Sequence, residues 1–305
     1  MKKLWTLNEV ERQSGKVAIV TGANAGLGYY TAEKLAGLDV TVVMAARNQE
    51  KAEEAIYQIQ QLHPNSKLLY IPLNLSSLAS VKAFAEAFAQ QFDRLDWLVN
   101  NAGIMVPPFA KTEDGFESQL GTNHLGHFLL TGLLMPLLQK SAHARVVSLS
   151  SLMHRYGRIN FSDLQSEKGY NKIAAYAQSK LACLMYSYEL HRRLQASSSS
   201  IVSVAAHPGV SSTLLGRNMS PVLRYLFPRF GQSAEAGALP TLRAALDPAV
   251  RGGEYFGPDG FYEMRGHPVR VTSSRRSHNK EAAARLWSVS EELTGFTYDF
   301  STGSR

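Results

Sequence analysis

Cysteine is nearly absent from this 305-residue sequence. The one cysteine, Cys183, has no partner for a disulfide within the chain, which excludes a secreted scaffold built on internal disulfides. Such scarcity is typical of proteins from reducing compartments. We therefore expect a cytoplasmic protein.

Long apolar runs are also missing. No stretch approaches the roughly 20 apolar residues that a membrane span needs. Asn8, Glu9, Glu11 and Arg12 stand where a signal peptide would need its apolar segment. We expect neither a transmembrane segment nor a signal peptide.

Acidic residues are fewer than basic ones, at 25 against 32, and the formal net charge is +7. A basic balance favours phosphate-bearing ligands, nucleic acid or an anionic membrane surface. The basic residues between Arg265 and Arg285 have no aromatic residues among them and match no nucleic-acid motif. We therefore predict no nucleic-acid partner.

What the chain does contain is an alternation of short apolar runs with helical patterns. This order predicts the α/β class: a Rossmann-type doubly wound parallel sheet of about seven strands with helices on both faces. Residues 1–300 are predicted to form a single domain, and 301–305 a tail. The predicted strands are 16–21, 40–45, 67–73, 95–100, 145–150, 201–206 and 254–256.

A glycine-rich turn follows the first predicted strand and opens a helix. Glycine permits a positive φ and the close approach of a pyrophosphate, and the N–H groups at a helix start favour its charge. A turn without a ligand is the alternative, but the strand, turn and helix order favours a dinucleotide site. The predicted cofactor-binding residues here are Gly22, Asn24, Ala25, Gly26, Leu27 and Gly28.

The end of the second strand indicates which dinucleotide binds. An acidic side chain there would bond the ribose 2′-hydroxyl of NAD, whereas an arginine accommodates the 2′-phosphate of NADP. This chain has no carboxylate at Ala45 or Ala46 but has Arg47, whose guanidinium can pair with phosphate. We predict NADP(H). The alternative for Arg47 is an exposed residue at a helix start.

Tyr176 and Lys180 are spaced so that they share one face of a predicted helix. The pair alone is a weak signal, but Ser150 and Ser151 end the fifth strand, and parallel-sheet enzymes place their chemistry at the carboxyl ends of strands. A carbonyl that receives hydride needs a proton donor. Because a nearby ammonium favours the phenolate, Tyr176 suits both the acid of reduction and the base of oxidation.

Together these motifs resemble the short-chain dehydrogenase/reductase family over nearly the whole chain. The spacing Gly-x-x-x-Gly-x-Gly from Gly22 to Gly28 is that family's pattern. Residues 122–130, 163–168 and 286–290 look like its retinol dehydrogenase-like branch. The resemblance implies a homodimer.

The resemblance also implies individual roles. The catalytic group would be Asn123, Ser151, Tyr176 and Lys180: the serine bonds the substrate oxygen, the lysine bonds the nicotinamide ribose, and the asparagine holds a water that links the lysine to solvent. Ser151 as a turn cap and Asn123 as an amide bonded to backbone are the alternatives. Asn74 departs from the family's aspartate at the adenine. Further implied cofactor contacts are Asn74, Leu75, Asn101, Ala102, Gly103, Pro208, Gly209, Val210 and Thr213.

Apolar residues at 104–109 and 214–230 are expected to line a hydrophobic pocket, with 213–232 as its lid. Segment 219–230 could instead make peripheral contact with a membrane surface. His124 and His127 lack an evident third ligand, so we predict no metal. The predicted function is hydride transfer between NADP(H) and a hydrophobic aldehyde, ketone or retinoid-like substrate. A non-catalytic NADP(H)-sensing protein and a protochlorophyllide-type double-bond reductase are the alternatives.

Overall fold

The computed structural model describes residues 4–211 and 231–300. Within these ranges one eight-stranded sheet forms the centre, in the order β3-β2-β1-β4-β5-β6-β7-β8. The strands are β1 (Val17–Thr21), β2 (Thr41–Ala46), β3 (Leu68–Pro72), β4 (Trp97–Asn100), β5 (Arg145–Leu149), β6 (Val202–Ala206), β7 (Tyr255–Pro258) and β8 (Pro268–Arg270).

Strands β1 to β7 pair in parallel, and β8 pairs antiparallel with β7. The seven predicted strands are thereby confirmed, with shifts of a residue or two at their ends. The prediction missed β8, a three-residue edge strand that opens on Pro268 and has no apolar alternation to reveal it. Proline is tolerated there because an edge strand need not donate every N–H group.

Helices cover both faces of the sheet, as predicted. They are α1 (Gly26–Gly37), α2 (Gln49–Leu62), α3 (Leu78–Ala89), α4 (Ser118–Leu120), α5 (Gly126–Gln139), α6 (Lys172–Ala196), α7 (Ala234–Leu246) and α8 (Lys280–Thr294). Between α4 and α5 the chain is π-helical over Gly121–Leu125. Asn279 caps the start of α8, and Gly295 ends it with a φ of 63°.

The two cores follow from the period of two along a strand. In β1, Val17 and Ile19 join the core that contains Phe84, Phe88 and Phe128. Its alternate residues, Ala18 and Val20 among them, join the core on the other face. Each parallel strand is thus covered on both sides, which explains why the strands read as continuous apolar runs.

Asp96, directly before β4, closes the amino edge of the sheet. Its side chain is 2% exposed and accepts hydrogen bonds from the backbone N–H of Val17 at 3.0 Å and the hydroxyl of Ser141 at 2.6 Å. Lys16 and Arg94 add two cations. Burial alone would raise the pKa of Asp96, but these bonds outweigh it and hold the pKa below its ordinary value.

Candidate active site

The glycine-rich turn lies at the carboxyl edge of the sheet, between β1 and α1. Gly22 and Gly26 have φ values of 67° and 56°, which favour glycine. A Cβ added to Gly28 would lie 2.3 Å from the carbonyl oxygen of Gly22, so the turn closes only without a side chain. Ala25 provides no side-chain cap for α1, which leaves the first-turn N–H groups available to an anion. Asn24 is partly buried, and Leu27 is buried.

The loop after β4 packs against this turn. The hydroxyl oxygen of Thr21 accepts hydrogen bonds from the backbone N–H groups of Asn101 and Ala102, each at 2.9 Å. The Asn101 amide donates to the carbonyl oxygen of Thr21 at 2.6 Å. A Cβ on Gly22 would come within 3.1 Å of Ala102. These contacts form a cradle of backbone groups of the kind that binds the pyrophosphate of a dinucleotide.

The residues predicted to contact the adenosine end lie after β2 and β3. Arg47 is exposed and makes no ion pair with any residue in 4–211 or 231–300. Asn74 is held locally, since its Nδ2 donates to Glu113 at 2.9 Å and its Oδ1 accepts from the Ser76 hydroxyl at 2.8 Å. Leu75 is buried against Gly126, because a Cβ added to Gly126 would lie 2.5 Å from the carbonyl oxygen of Leu75.

Helix α6 carries the predicted catalytic pair and is fixed to the end of β5. The Ser150 hydroxyl donates to the carbonyl oxygen of Lys180 at 2.8 Å, and Lys180 Nζ donates to the carbonyl oxygen of Leu149 at 3.1 Å. Ser151 Oγ accepts from the N–H of Met153 at 3.2 Å, so it does cap a turn, and its hydroxyl hydrogen stays free to donate. The Tyr176 hydroxyl has no hydrogen-bond partner in the described parts of the chain.

Asn123 lies within the π-helical segment and holds the loop after β4. Its Oδ1 accepts from the N–H of Ile104 at 2.8 Å, while its Nδ2 donates to the carbonyl oxygen of Ile104 at 3.0 Å. A Cβ on Gly103 would lie 3.0 Å from Asn123 Oδ1 and 3.3 Å from Lys180 Nζ. The amide is therefore bonded to the backbone of Ile104 and lies beside the lysine, and its predicted role in holding a water stays a prediction.

The loop after β6 contains Pro208, Gly209 and Val210. Gly209 has a φ of 65°, and a Cβ there would lie 2.4 Å from the carbonyl oxygen of Met264. The N–H of Val210 donates to that same oxygen at 2.8 Å. Thr213 and nearly all of the predicted lid at 213–232 lie outside the described residues.

Comparison with known proteins assigns the family. The sequence profile of the short chain dehydrogenase family matches residues 16–222. The chain belongs to the short-chain dehydrogenase/reductase family. It lies in the retinol dehydrogenase-like branch, since it is 43% identical over 289 residues to retinol dehydrogenase 12 of Mus musculus, covering 93% of this chain and 88% of that protein. Retinol dehydrogenase 11 of Homo sapiens is 42% identical, with 93% and 87% covered.

Solved structures of this short-chain dehydrogenase/reductase fold superimpose well. An uncharacterised protein from Mycobacterium paratuberculosis has a TM-score of 0.82 at 39% identity, with 97% of this chain and 100% of that chain covered. RhlG of Pseudomonas aeruginosa, solved in an active-site complex with NADP, has a TM-score of 0.67 at 24% identity, with 83% and 98% covered. The second likeness concerns the fold alone.

Several residues around this dehydrogenase site carried no local sequence signal. Glu263 lies 3.1 Å from His207 Nε2 and 2.7 Å from the Arg155 guanidinium. Burial alone would raise its pKa, but His207 and Arg155 outweigh burial and lower it. His154 Nδ1 lies 2.7 Å from the Ser151 carbonyl oxygen and so donates to it; burial lowers the pKa of His154 to about 4.

The structure also bears on membranes and metals. None of the helices formed by residues 4–211 and 231–300 is long and apolar enough to cross a membrane. His124 and His127, the two histidines weighed as metal ligands, make separate contacts: His124 Nε2 lies 2.8 Å from Ser290 Oγ, and His127 lies between Thr21 and Asn123. In the same residues no group of three or more metal-ligating side chains occurs.

Proposed function

We propose that this dehydrogenase transfers a hydride between NADP(H) and the carbonyl or alcohol carbon of a hydrophobic aldehyde, ketone or retinoid-like substrate. The observation that carries the proposal is the Tyr176 hydroxyl, which has no hydrogen-bond partner among residues 4–211 and 231–300 and lies on the helix turn that also presents Lys180. Ser150 and Lys180 beside it are hydrogen-bonded within the chain, whereas this hydroxyl is available to a ligand.

The chain's own residues divide the proton chemistry. In reduction, Tyr176 gives its proton to the substrate oxygen as negative charge develops there, and in oxidation it takes the proton back. Ser151 donates a second hydrogen bond to that oxygen. The Lys180 ammonium, anchored on Leu149, would donate hydrogen bonds to the nicotinamide ribose. Asn123 holds Ile104 in place and so fixes one wall of the site.

The residues present fit a dinucleotide. The cradle around Gly22, Gly26 and Gly28 and the uncapped start of α1 would hold the pyrophosphate, and Asn101 to Gly103 and Pro208 to Val210 would flank the ribose and nicotinamide. When bound, the nicotinamide supplies or accepts the hydride. The Arg47 guanidinium, which makes no ion pair with the described residues, favours the 2′-phosphate of NADP(H) over the hydroxyl of NAD.

A hydrophobic substrate is favoured by the wall after β4. Ile104, Met105 and Pro107 are partly exposed there, and Phe109 packs edge-on against Tyr170. The names of the relatives, retinol dehydrogenases 11 and 12, add retinoids to the candidates. A cytoplasmic location, a homodimer and peripheral membrane contact by residues 219–230 stay predictions.

One assay separates this function from its alternatives. NADPH and NADH absorbance is followed in the dark with aliphatic, aromatic and polyene aldehydes and ketones. We expect NADPH oxidation, a loss of at least about a hundredfold in kcat for Tyr176→Phe, and a roughly tenfold higher KM for NADPH in Arg47→Ala with little change for NADH. Tyr57→Phe, at an exposed position on α2, is the matched control.

The alternatives have distinct outcomes in this assay. Tight NADPH binding without turnover across the panel would favour the non-catalytic sensor. Turnover only under light, with a tetrapyrrole, would favour the double-bond reductase. Equal rates for Tyr176→Phe and the unaltered enzyme would disprove the proposed acid.

A further inference from the structure

His127 is a buried histidine that the proposed proton chemistry does not use. It lies on α5, one helical turn after Asn123, and is 4% exposed. Its Nδ1 lies 3.0 Å from the backbone carbonyl oxygen of Asn123, and its Nε2 lies 2.9 Å from Thr21 Oγ1. Both ring nitrogens thus face groups of the active site, on two different elements.

The partners determine where the ring proton lies. A carbonyl oxygen can only accept, so Nδ1 must carry the hydrogen that it donates to Asn123. In a neutral ring Nε2 is then an acceptor and, at 2.9 Å, takes the hydroxyl hydrogen of Thr21 in preference to the carbonyl oxygen of Val99 at 3.3 Å. The Thr21 oxygen keeps its lone pairs for the N–H groups of Asn101 and Ala102, at 2.9 Å each. Every donor in this series of hydrogen bonds therefore has an acceptor.

The ring stays neutral at ordinary pH. Burial lowers the pKa of His127 to about 4, and the positive charge of Lys180 acts in the same direction. A histidine held neutral in this way cannot act as a general acid at working pH, and both of its nitrogens already have partners. Its contribution to the site is therefore geometric.

The two ends of the imidazole belong to the two halves of the site. At one end, Thr21 and the Asn101–Ala102 backbone form the cofactor cradle. At the other, Asn123 holds Ile104 and lies beside Lys180 across Gly103. We propose that His127 is a positioning residue that fixes the Asn123 segment against the Thr21 cradle and so sets the spacing between the catalytic helix and the bound cofactor. The inference rests on the proposed function.

The neighbouring histidine provides a matched control. His124 is also buried, at 2% exposed, and its Nε2 lies 2.8 Å from Ser290 Oγ. Ser290 in turn donates to the carbonyl oxygen of Leu286 at 2.7 Å. This chain of bonds joins the helical segment to α8, away from Thr21. Replacement of His124 should lower stability without altering the spacing in the site.

A double-mutant cycle tests the bridge. Thr21→Val and His127→Phe both remove the hydrogen bond between these two residues, and Thr21→Val also removes the acceptor of the Asn101 and Ala102 N–H groups. We therefore expect kcat to fall roughly tenfold in His127→Phe and further in Thr21→Val, and the double variant to lose no more than Thr21→Val. The Kd for NADPH, measured by fluorescence, should rise a few-fold in the same non-additive way. Thr21→Ser keeps the hydroxyl and should restore most of kcat. His124→Phe should lower Tm and leave kcat unchanged.

A second measurement does not depend on turnover. ¹⁵N NMR of the histidine-labelled, unaltered protein should show His127, assigned by its loss in His127→Gln, as the neutral Nδ1–H tautomer. An Nε2–H tautomer would overturn the bridge, as would multiplicative losses in the cycle. Should the unaltered protein turn over no substrate, the proposed function fails, while the tautomer and the NADPH affinities still decide this inference.

Discussion

The amino and carboxyl edges of the sheet both hold networks of hydrogen-bonded polar groups, but the two networks have different roles. At the amino edge, the Asp96 carboxylate is surrounded by Val17, Ser141 and two cations, so that its charge is fully compensated within the chain. At the carboxyl edge, Thr21 and Asn123 are bonded just as fully, but the Tyr176 hydroxyl and the first turn of α1 have no side-chain partner among residues 4–211 and 231–300.

The difference separates stability from function. A closed polar cluster can only hold elements together, because it has no donor or acceptor left for a ligand. An open group held by closed neighbours is ready for chemistry, since its position is fixed before the substrate arrives. We therefore expect substitutions at the amino edge to alter unfolding and substitutions at the carboxyl edge to alter binding and turnover.

The largest effect is expected at Asp96. Asp96→Asn keeps the shape of the side chain but replaces an acceptor oxygen with an NH₂ group that faces hydrogen-bond donors. It also leaves the Lys16 and Arg94 cations unpaired, so the free energy of unfolding should fall by about 3 kcal/mol. Urea denaturation measures this loss. Asp39→Asn, which removes an exposed carboxylate paired with Arg12, should leave the curve unchanged. NADPH affinity of the folded variant should also be unchanged, and a parallel loss of binding would break the separation of the edges.

The same carboxyl predicts a pH dependence. Because its folded pKa is lowered, Asp96 stabilises the protein above the unfolded value of about 3.9, and this stabilisation is lost as pH falls through the folded value. The stability gap between the unaltered protein and Asp96→Asn should hence narrow below about pH 4. A gap that stays constant down to acid unfolding would exclude this linkage.

An intermediate effect is expected at Gly28. The Cβ of Gly28→Ala would lie 2.3 Å from the Gly22 carbonyl oxygen and 2.6 Å from Asn101 Nδ2. Either the backbone of the turn or the hydrogen-bonded Asn101 side chain would have to move to relieve these contacts. We expect Kd for NADPH to rise about 10- to 100-fold, equivalent to about 1–3 kcal/mol. Gly169→Ala, with nothing within 4 Å of its added Cβ, is the control. If fluorescence titration finds the same NADPH affinity for Gly28→Ala and the unaltered protein, the glycine turn is not part of the cofactor site.

The sequence predicted features that lie within one short segment and missed contacts between residues that are far apart along the chain. The turn from Gly22 to Gly28 and the pair Tyr176 and Lys180 fall within single segments, where spacing alone fixes geometry. The bridge from His127 to Thr21 joins residues 106 positions apart. It also depends on the π-helical segment Gly121–Leu125, whose residue types do not indicate a π-helix. The contact of Glu263 with Arg155 likewise joins residues 108 positions apart, so only the folded chain reveals it.

The smallest effect is expected at Glu263, on the carboxyl edge but 21% exposed. Glu263→Gln keeps the size and removes the charge that ties Arg155 and His207 to the loop under Gly209. Because exposure screens part of this interaction, we expect the KM for NADPH to rise only about two- to fivefold, about 0.5–1 kcal/mol, with Tm nearly unchanged. Glu53→Gln on the exposed face of α2 should alter neither quantity. A large fall in Tm without any change in KM would place Glu263 with Asp96, among residues that only hold the sheet together.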